Sequence, residues 1–232
     1  PEAPDEAQIS PLLLSAQIQR YGDPPPPLAE TTEARMVEAS EAQDDRLLLV
    51  FARQLDPMTV DAQSFAIVRA DGRRVRPTRA FLGPGDERDE NRSLTLTGNF
   101  GDAEHPPVAI HILGNLYAED GEDLSGLDAQ IIGPEEPDHL VLVERLPSEA
   151  QRCPNAAQTL RTYWSDALAE VGAADLGTID LTLADGRRVT PLDFDDQARR
   201  AEDEPCPAAF SSCLGPADDN VLDLCVADEA AV

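Results

Sequence analysis

The chain has 232 residues, a length that accommodates two domains of ordinary size. Its formal net charge is −27 and its acidic residues are spread along the whole chain, so we expect a negative surface that excludes nucleic acid and anionic membranes as partners. All 18 basic residues are arginine. The lack of lysine excludes a Walker-type phosphate loop and Schiff-base catalysis.

The first 28 residues contain one segment that can form a strand. Residues 1–8 are polar, and we interpret them as a flexible tether of the kind that follows a cleavage or lipid-attachment site. Residues 11–19 can pair as a strand, and a Pro-rich connector follows at residues 22–28. No signal sequence opens the chain, so we infer that any leader has been removed. No apolar run reaches the roughly 20 residues that span a bilayer, and we expect no transmembrane segment.

The first half then contains short, strand-sized apolar runs separated by Gly, Pro, Asp or Asn. Several runs alternate apolar and polar residues with period two, which favours strands over helices. Asp71 and Gly72 lie between two of these runs, and this dipeptide predicts a hairpin with a two-residue turn. His111 alternates with two isoleucines, so we expect it on the less buried side of its strand. The runs occupy a segment near Met36 and residues 46–51, 64–70, 73–82, 93–98 and 108–114.

A degenerate repeat relates the two halves of the chain. DGRRVRP at residues 71–77 returns as DGRRVTP at residues 185–191, again between apolar runs, and LGP follows each copy. An aromatic residue and a leucine four positions later precede each copy. These are Phe51 and Leu55 in the first half, and Trp164 and Leu168 in the second. We therefore predict a duplication, with one domain at residues 9–133 and another at residues 134–232.

The second copy departs from the first in three places. Its runs, at residues 139–146, 159–164, 178–184, 187–194 and 220–226, include no counterpart of the last strand of the first copy. Either the second domain has fewer strands, or residues 11–19 complete its sheet. An insertion separates residue 194 from the second LGP. Residues 165–171 allow one short helix, although the corresponding segment of the first copy favours a loop or a single turn.

All the cysteines lie in the second copy, at Cys153, Cys206, Cys213 and Cys225. An even number without CxxC spacing predicts two disulfides more readily than a metal site. Three connectivities are open, and we favour Cys206 with Cys213 and Cys153 with Cys225, which would fasten the insertion to its domain. Disulfides imply an oxidising compartment. We therefore expect an exported protein, located in a periplasm, outside the cell, or on its outer surface as a lipoprotein.

The first copy resembles the bacterial Ig-like domain first described in surface-layer proteins, the SbsA-like type. The matching features are Phe-x-x-x-Leu-Asp-Pro-x-Thr-Val at residues 51–60, the Asp-Gly turn, and a closing strand with its following loop at residues 114–127. The second copy lacks the Asp-Pro pair and the closing strand. The resemblance implies an all-β fold of two tandem Ig-like β-sandwich domains, the second divergent with a disulfide-fastened insertion. It also implies a spacer or adhesion module, usually without catalytic residues of its own.

Two kinds of ligand site are open in the sequence. Acidic loops supply the clustered oxygen ligands that Ca²⁺ prefers, although none has the EF-hand spacing and ordinary solvated loops look the same. Tyr163 and Trp164 are the candidates for ligand binding, since a carbohydrate site needs aromatic side chains. The candidate calcium ligands are Asp86, Glu87, Asp89, Glu90 and Asn91, then Asp120, Glu122 and Asp123, and finally Asp218, Asp219 and Asn220.

No catalytic constellation is recognisable, because the chain has no HExxH, GxSxG or GxGxxG motif. Our first hypothesis is a non-catalytic, exported β-sandwich protein that acts as a structural, adhesive or ligand-binding module, with calcium as an optional stabilising ion. Its partner would be a cell-surface protein or a glycan. The alternative hypothesis is a carbohydrate-binding or hydrolase-accessory protein with its site near Trp164.

Overall fold

The computed structural model describes residues 12–22, 44–85, 89–147, 152–153, 155–168, 171–172, 175–183, 185–195 and 219–227. Within these ranges the chain forms β-strands and short 3₁₀ helices, and no α-helix. The predicted all-β class is therefore confirmed. No helix in the described part of the chain is long and apolar enough to cross a membrane.

Eight of the described strands build the first half. They are β1 (Leu13–Arg20), β2 (Asp45–Phe51), β3 (Phe65–Arg69), β4 (Arg74–Val75), β5 (Arg79–Leu82), β6 (Ser93–Gly98), β7 (Pro107–Ile112) and β8 (Asp128–Gln130). They pair antiparallel in two four-stranded sheets, with the orders β1-β2-β6-β5 and β4-β3-β7-β8. Two 3₁₀ turns, Pro57–Thr59 and Ala62–Ser64, carry the chain from β2 in one sheet to β3 in the other.

The core of the first half lies between these two sheets, because every second side chain of a strand points to the same face. Leu49 from one sheet and Ile67 and Ile110 from the other are fully buried there. Each such side chain stabilises the fold by roughly 1.5–3 kcal/mol relative to an exposed position. Phe51 and Leu55 join this core where the chain leaves β2. His111 is only partly buried between two buried isoleucines, as expected.

Six of the described strands build the second half. They are β9 (Leu140–Arg145), β10 (Gln158–Trp164), β11 (Leu181–Thr182), β12 (Arg188–Val189), β13 (Asp193–Asp195) and β14 (Val221–Val226). Four of them form an antiparallel sheet in the order β13-β14-β10-β9, and β11 pairs with β12 as a separate hairpin. Leu160, Leu222 and Leu224 of the sheet fill a smaller core, against which Leu181 and Val189 of the hairpin pack. The predicted domain boundary at residue 133 lies between β8 and β9.

Several main-chain contacts of the two halves join residues at corresponding positions. The sheet order β1-β2-β6-β5 matches β9-β10-β14-β13, and the hairpin β3-β4 matches β11-β12. The Leu55 N–H donates to the Asn91 carbonyl at 2.7 Å, and the Leu168 N–H donates to the Asp219 carbonyl at 2.7 Å. Three further pairs of hydrogen bonds correspond: Ala52 to Leu12 with Ser165 to His139, Phe51 to Arg92 with Trp164 to Asn220, and Thr78 to Thr97 with Leu192 to Cys225.

The repeated DGRRV-x-P motif forms a hairpin, but its turn is longer than expected. The Arg69 N–H donates to the Arg73 carbonyl and the Gly72 N–H donates to the Arg69 carbonyl, so the loop holds three residues. Only the glycine is left-handed, with φ of 80° at Gly72, while Asp71 accepts a hydrogen bond from the Arg73 N–H. The expected two-residue turn is therefore wrong. In the second copy Gly186 has φ of 83° and makes the corresponding hydrogen bond.

The proline of the same motif marks a change of sheet. β4 belongs to the sheet with β3, whereas β5 belongs to the sheet with β6, and Pro77 lies between them. Proline has no N–H to continue a ladder, so the pairing of β4 ends there. The run at residues 73–82 is thus two strands in different sheets. Pro191 occupies the same place between β12 and β13.

The structure shows where the N-terminal segment lies and which described strands each half contains. Residues 13–19 of the predicted strand lie in β1, which pairs with β2, so the alternative in which this segment completes the second domain's sheet is wrong. Among the described residues the second half has no counterpart of β7 or β8. Residues 165–168 are bends and coil, not helix. The tether at residues 1–8, all but the first residue of the connector, the run near Met36 and all but the first residue of the insertion lie outside the described residues.

The sheet β1-β2-β6-β5 is covered on both faces. Val50 points away from the first core, yet it packs against Tyr163 of β10 and Val221 of β14. The two halves therefore meet sheet on sheet. The outward-facing side chains at the middle of this sheet are at most 3 % exposed, namely Ser15, Leu48, Val50, Ser93 and Thr95.

Candidate functional site

The contact between the two sheets brings charged side chains together in a buried place. Its centre is apolar, and its charged residues come from the segments before β6 and β10 and from β9, β10 and β14. We call this contact the junction. It consists of Val50, Asp89, Glu90 and Arg92 of the first half and Glu144, Arg152, Arg161, Tyr163, Val221 and Asp223 of the second.

Arg161 is the central residue of the junction, and its side chain is fully buried. The antiparallel register places it directly opposite Asp223 of the neighbouring strand. Nε donates to Asp223 Oδ1 and Nη2 donates to Oδ2, each at 2.8 Å. Two parallel hydrogen bonds of this kind give an arginine–carboxylate pair both its strength and its fixed orientation.

Arg161 also binds the first half of the chain. Its Nη1 donates to the Asp89 carbonyl at 3.0 Å and lies 3.1 Å from Asp89 Oδ2, while Nη2 lies 3.4 Å from Glu90 Oε1. Burial by itself would lower the pKa of Arg161, but the hydrogen bonds to Asp223 and the charges of Glu90 and Asp223 outweigh it and raise the pKa. The guanidinium therefore stays charged and joins the two halves.

Arg152 reinforces the same carboxylates. Its Nε donates to Asp223 Oδ2 at 3.2 Å, and its Nη2 donates to Asp89 Oδ2 at 3.1 Å. Burial raises the pKa of Asp89, but the positive charges of Arg161 and Arg152 outweigh this and lower it. Asp89 is thus held in its charged form. The next residue along the chain, Cys153, is bonded to Cys225 of β14, and this disulfide fixes Arg152 beside Asp223.

A second ion pair spans the junction beside the first. Arg92 Nη2 donates to Glu144 Oε2 at 2.6 Å, and the guanidinium carbon of Arg92 lies 5.9 Å from the centre of the Tyr163 ring. The Tyr163 hydroxyl donates to Glu144 Oε1 at 3.1 Å. Burial and then the charge of Glu144 raise the pKa of Tyr163, so its hydroxyl stays protonated and remains a donor.

The chemistry of the junction is that of a positioning site. Its cations and carboxylates hold one another, and the ring of Tyr163 has no exposed surface. Charges taken out of water cost desolvation free energy that their attraction only partly repays, so such pairs contribute more to a defined arrangement than to net stability. Because Arg161 requires its carboxylates on both sides, the junction selects one orientation of the two halves.

One predicted disulfide is confirmed. Cys153 and Cys225 are bonded, with their Cα atoms 5.9 Å apart. The bond connects the segment before β10 to β14. Cys206 and Cys213 lie outside the described residues, so their pairing stays a prediction.

The candidate calcium ligands beside the junction make other contacts. Asp89 and Glu90 pair with Arg161, and the Asn91 amide donates to Glu119 at 3.4 Å. In the corresponding loop of the second half, the candidate side chains hydrogen-bond to nearby main-chain groups. Asp219 Oδ1 accepts from the Val221 N–H at 2.9 Å, and the Asn220 amide donates to the Trp164 carbonyl at 2.9 Å. Asp86, Glu87 and Asp218 lie outside the described residues.

The remaining calcium candidates lie in the loop before β8. Asp120 Oδ1 accepts from the Glu122 N–H, and Asp123 Oδ1 accepts from the Ser125 hydroxyl and N–H, which lower the pKa of Asp123. In the part of the chain that the structure describes, no three His, Cys, Asp or Glu side chains are grouped so as to hold a metal ion. Calcium binding stays a prediction, and titration with Ca²⁺ would test it.

The two aromatic candidates point to opposite sides of β10. Tyr163 is 0 % exposed in the junction and has no surface to offer a ligand. Trp164 is partly buried, and its Nε1 donates to Thr162 Oγ1 at 3.0 Å. It corresponds to Phe51, which fills the first core. A ligand-binding role is therefore restricted to Trp164, where it stays a prediction.

The sequence does contain a signal for the junction that motif reasoning missed. Arg161 stands inside the run TLRTYW, and Asp223 stands inside NVLDLCV. A charge in the middle of a strand-sized run is costly unless it has a partner, and one of each sign predicts a pair. Arg152 lies in a polar segment and gives no such signal, whereas Glu144 stands next to Arg145 near the end of the run at residues 139–146.

The resemblance of the first half to bacterial Ig-like domains rests on this chain's own residues. Two facing antiparallel sheets are consistent with it, but they are common to many β-sandwiches. No family model, no curated protein and no solved structure matches the chain.

Proposed function

We propose that this protein is a non-catalytic, exported module of two tandem Ig-like β-sandwich domains that act as one rigid structural or adhesive unit. The observation that carries the proposal is the junction. Arg161 is fully buried between Asp223 of its own half and Asp89 and Glu90 of the other half. A binding or spacer protein needs a fixed distance between its surfaces, and this contact supplies one.

Duplication is the origin that we propose for the two domains. The shared sheet order, the shared hairpin register and the corresponding main-chain hydrogen bonds support it. Two unrelated sandwiches would not be expected to share the hydrogen bond that the Leu55 N–H makes in one half and the Leu168 N–H makes in the other. The second domain has diverged, since among its described residues it keeps only the hairpin of the second sheet.

Export is supported by the disulfide between Cys153 and Cys225, because such bonds persist in oxidising compartments. A periplasm, the cell exterior and the outer surface all meet this condition. The charge of −27 keeps the module soluble and repels nucleic acid and anionic lipid. The proposed partners are cell-surface proteins or glycans.

Rigidity distinguishes this proposal from two domains on a flexible linker. Domains of one chain usually move relative to each other unless their interface is large and well packed. Residual dipolar couplings in weakly aligned protein measure this directly. We expect both halves to report one alignment tensor in the wild type and two different tensors in Arg161→Met. Arg188→Met, which changes an exposed arginine of β12, is the control and should keep one tensor. Two tensors in the wild type would overturn the proposal.

A further inference from the structure

β3 and β11 correspond, but their surroundings differ. β3 is an inner strand, because it pairs with β4 on one edge and with β7 on the other. β11 pairs with β12 on the first of these edges. No described residue pairs with its second edge, where β7 would lie. Beside β11, at the position that β7 takes beside β3, the described part of the second half therefore contains no strand.

The main-chain groups of Thr182 point to this edge. Successive residues of an antiparallel strand direct their N–H and C=O to alternate sides. The Leu183 N–H donates to the Arg187 carbonyl on the β12 side, so those of Thr182 face the other way. Val68, the counterpart of Thr182, is paired there with Ala109 of β7. Thr182 is exposed.

The side chains near this edge are less covered than those of the first half. Phe65 and Ile67 are fully buried where β7 and β8 close the first core. Ile179 and Leu181, which occupy the corresponding positions, are only partly buried. Both pack against the hydrophobic core of the second half. An added strand would bury apolar surface as well as pair its main chain.

We propose that the second edge of β11 accepts an extended segment of another protein, which adds antiparallel to β11 as β7 adds to β3. This inference rests on the proposed duplication. Strand addition takes its affinity from main-chain hydrogen bonds and its specificity from alternate side chains. The donor segment carries aliphatic residues at every second position, as β7 carries Ile110 and Ile112. The net charge of −27 opposes pairing of two copies of this chain and favours a donor with neutral or basic flanks.

The test uses a synthetic peptide with the sequence of residues 106–114, PPVAIHILG, and the full-length oxidised protein. We expect saturable binding, a higher melting temperature, and slower hydrogen exchange at Thr182 with no change at Val68. A peptide N-methylated at the alanine that corresponds to Ala109 loses the N–H that would pair with Thr182. It should bind at least about tenfold more weakly, as should a peptide with aspartate in place of both isoleucines.

Two protein variants test the same contact from the other side. Thr182→Pro removes the N–H that faces the donor and keeps those of Leu181 and Leu183, so binding should be lost. Thr182→Ala keeps the N–H and should bind as the wild type does. The N-methylated peptide leaves the protein unaltered, so it decides the matter even where Thr182→Pro fails to fold.

Three results would overturn the inference. The first is equal binding of the methylated and unmethylated peptides. The second is slow exchange at Thr182 without peptide at every protein concentration, which would show that another segment of this chain fills the edge. The third is exchange at Thr182 that slows as the protein concentration rises, which would identify a second copy as the occupant. None of these results alters the dipolar-coupling test, so the rigid junction and the strand-accepting edge stand or fall separately.

Discussion

Arg161 and Asp223 face each other on neighbouring strands and form a buried ion pair with two hydrogen bonds of 2.8 Å, at the place where the two halves of the chain meet. Asp223 alone would satisfy one side of the guanidinium. The other side is satisfied only when Asp89 and Glu90 arrive from the first half. The full set of contacts around Arg161 therefore forms only when the two halves are in contact.

Replacing Arg161 by methionine should destabilise the protein strongly. The change leaves Asp223 and Glu90 buried with one cation fewer, and breaking a buried pair in this way costs about 3–5 kcal/mol in the free energy of unfolding. Urea unfolding followed by circular dichroism measures it. Arg188→Met should change the free energy by less than about 0.5 kcal/mol, because Arg188 is exposed. Equal effects of the two substitutions would show that the buried pair contributes nothing.

Asp89 should make the stability depend on pH in the acid range. Its folded pKa lies below the unfolded value, so its contribution is fully present above about pH 4 and is lost as the pH falls through the folded pKa. Asp89→Asn should therefore be less stable than the wild type at pH 7, and the difference should shrink below pH 4. Unfolding free energies between pH 2 and pH 7 test this, with the exposed Glu104→Gln as control. A difference that stays constant with pH would contradict it.

Removing the disulfide between Cys153 and Cys225 should lower the free energy of unfolding and loosen the junction. Cys153 and Cys225 are separated by 72 residues in the sequence, and loss of such a crosslink costs about 2–5 kcal/mol. The double variant Cys153→Ala with Cys225→Ala leaves no unpaired thiol at this place. Arg152→Gln serves as a comparison that removes the ion pairs and keeps the crosslink. If the double variant were as stable as the wild type, the crosslink would have no stabilising role.

Gly101 should not tolerate a methyl group. A Cβ at this position would lie 2.5 Å from the His105 carbonyl oxygen, and the Gly101 N–H donates to the buried Asp45 carboxylate at 3.2 Å. Gly101→Ala must move this backbone, and overpacking of this kind costs about 1–3 kcal/mol. Gly177→Ala is the matched control, because nothing lies within 4 Å of its Cβ. Thermal melts of both variants decide the point, and an unchanged melting temperature for Gly101→Ala would refute it.

Trp164 should act as a core residue, which separates the structural hypothesis from the carbohydrate-binding one. Its counterpart is Phe51, so Trp164→Phe should keep most of the stability while Trp164→Ala should lose about 3–5 kcal/mol. We expect no glycan array signal that depends on the indole. A signal that is present in the wild type and lost in both variants would favour the carbohydrate-binding hypothesis.

Much of the fold is predictable from the sequence because period two is a local property. Leu94 and Leu96 alternate with threonines in β6, and a single strand reveals this pattern without knowledge of its neighbours. The correspondence of Phe51 to Trp164 and of Leu55 to Leu168 is also visible in the sequence alone. The two members of each pair occupy corresponding positions, and the spacing between these positions is the same in both halves.

The junction and the sheet crossings are not predictable in the same way. Thr95 alternates with core leucines, as a solvent-facing residue does, yet it is buried because another sheet lies on it. Asp89 lies in an acidic loop whose composition suggests calcium binding, but its carboxylate pairs with Arg161, which is distant in the sequence. At Pro77 the sequence shows one run, while the chain changes sheets. Only the three-dimensional contacts distinguish these cases.

The face of the first domain that lies in the junction carries polar side chains beside its apolar centre. The hydroxyls of Ser15 and Ser93 and the amide oxygen of Gln17 are buried there without a hydrogen-bond partner. Separation of the domains would return these groups to solvent and relieve the cost of leaving them unpaired. Under the proposed duplication, these polar groups belong to a face that water covered before the second domain was added to the first.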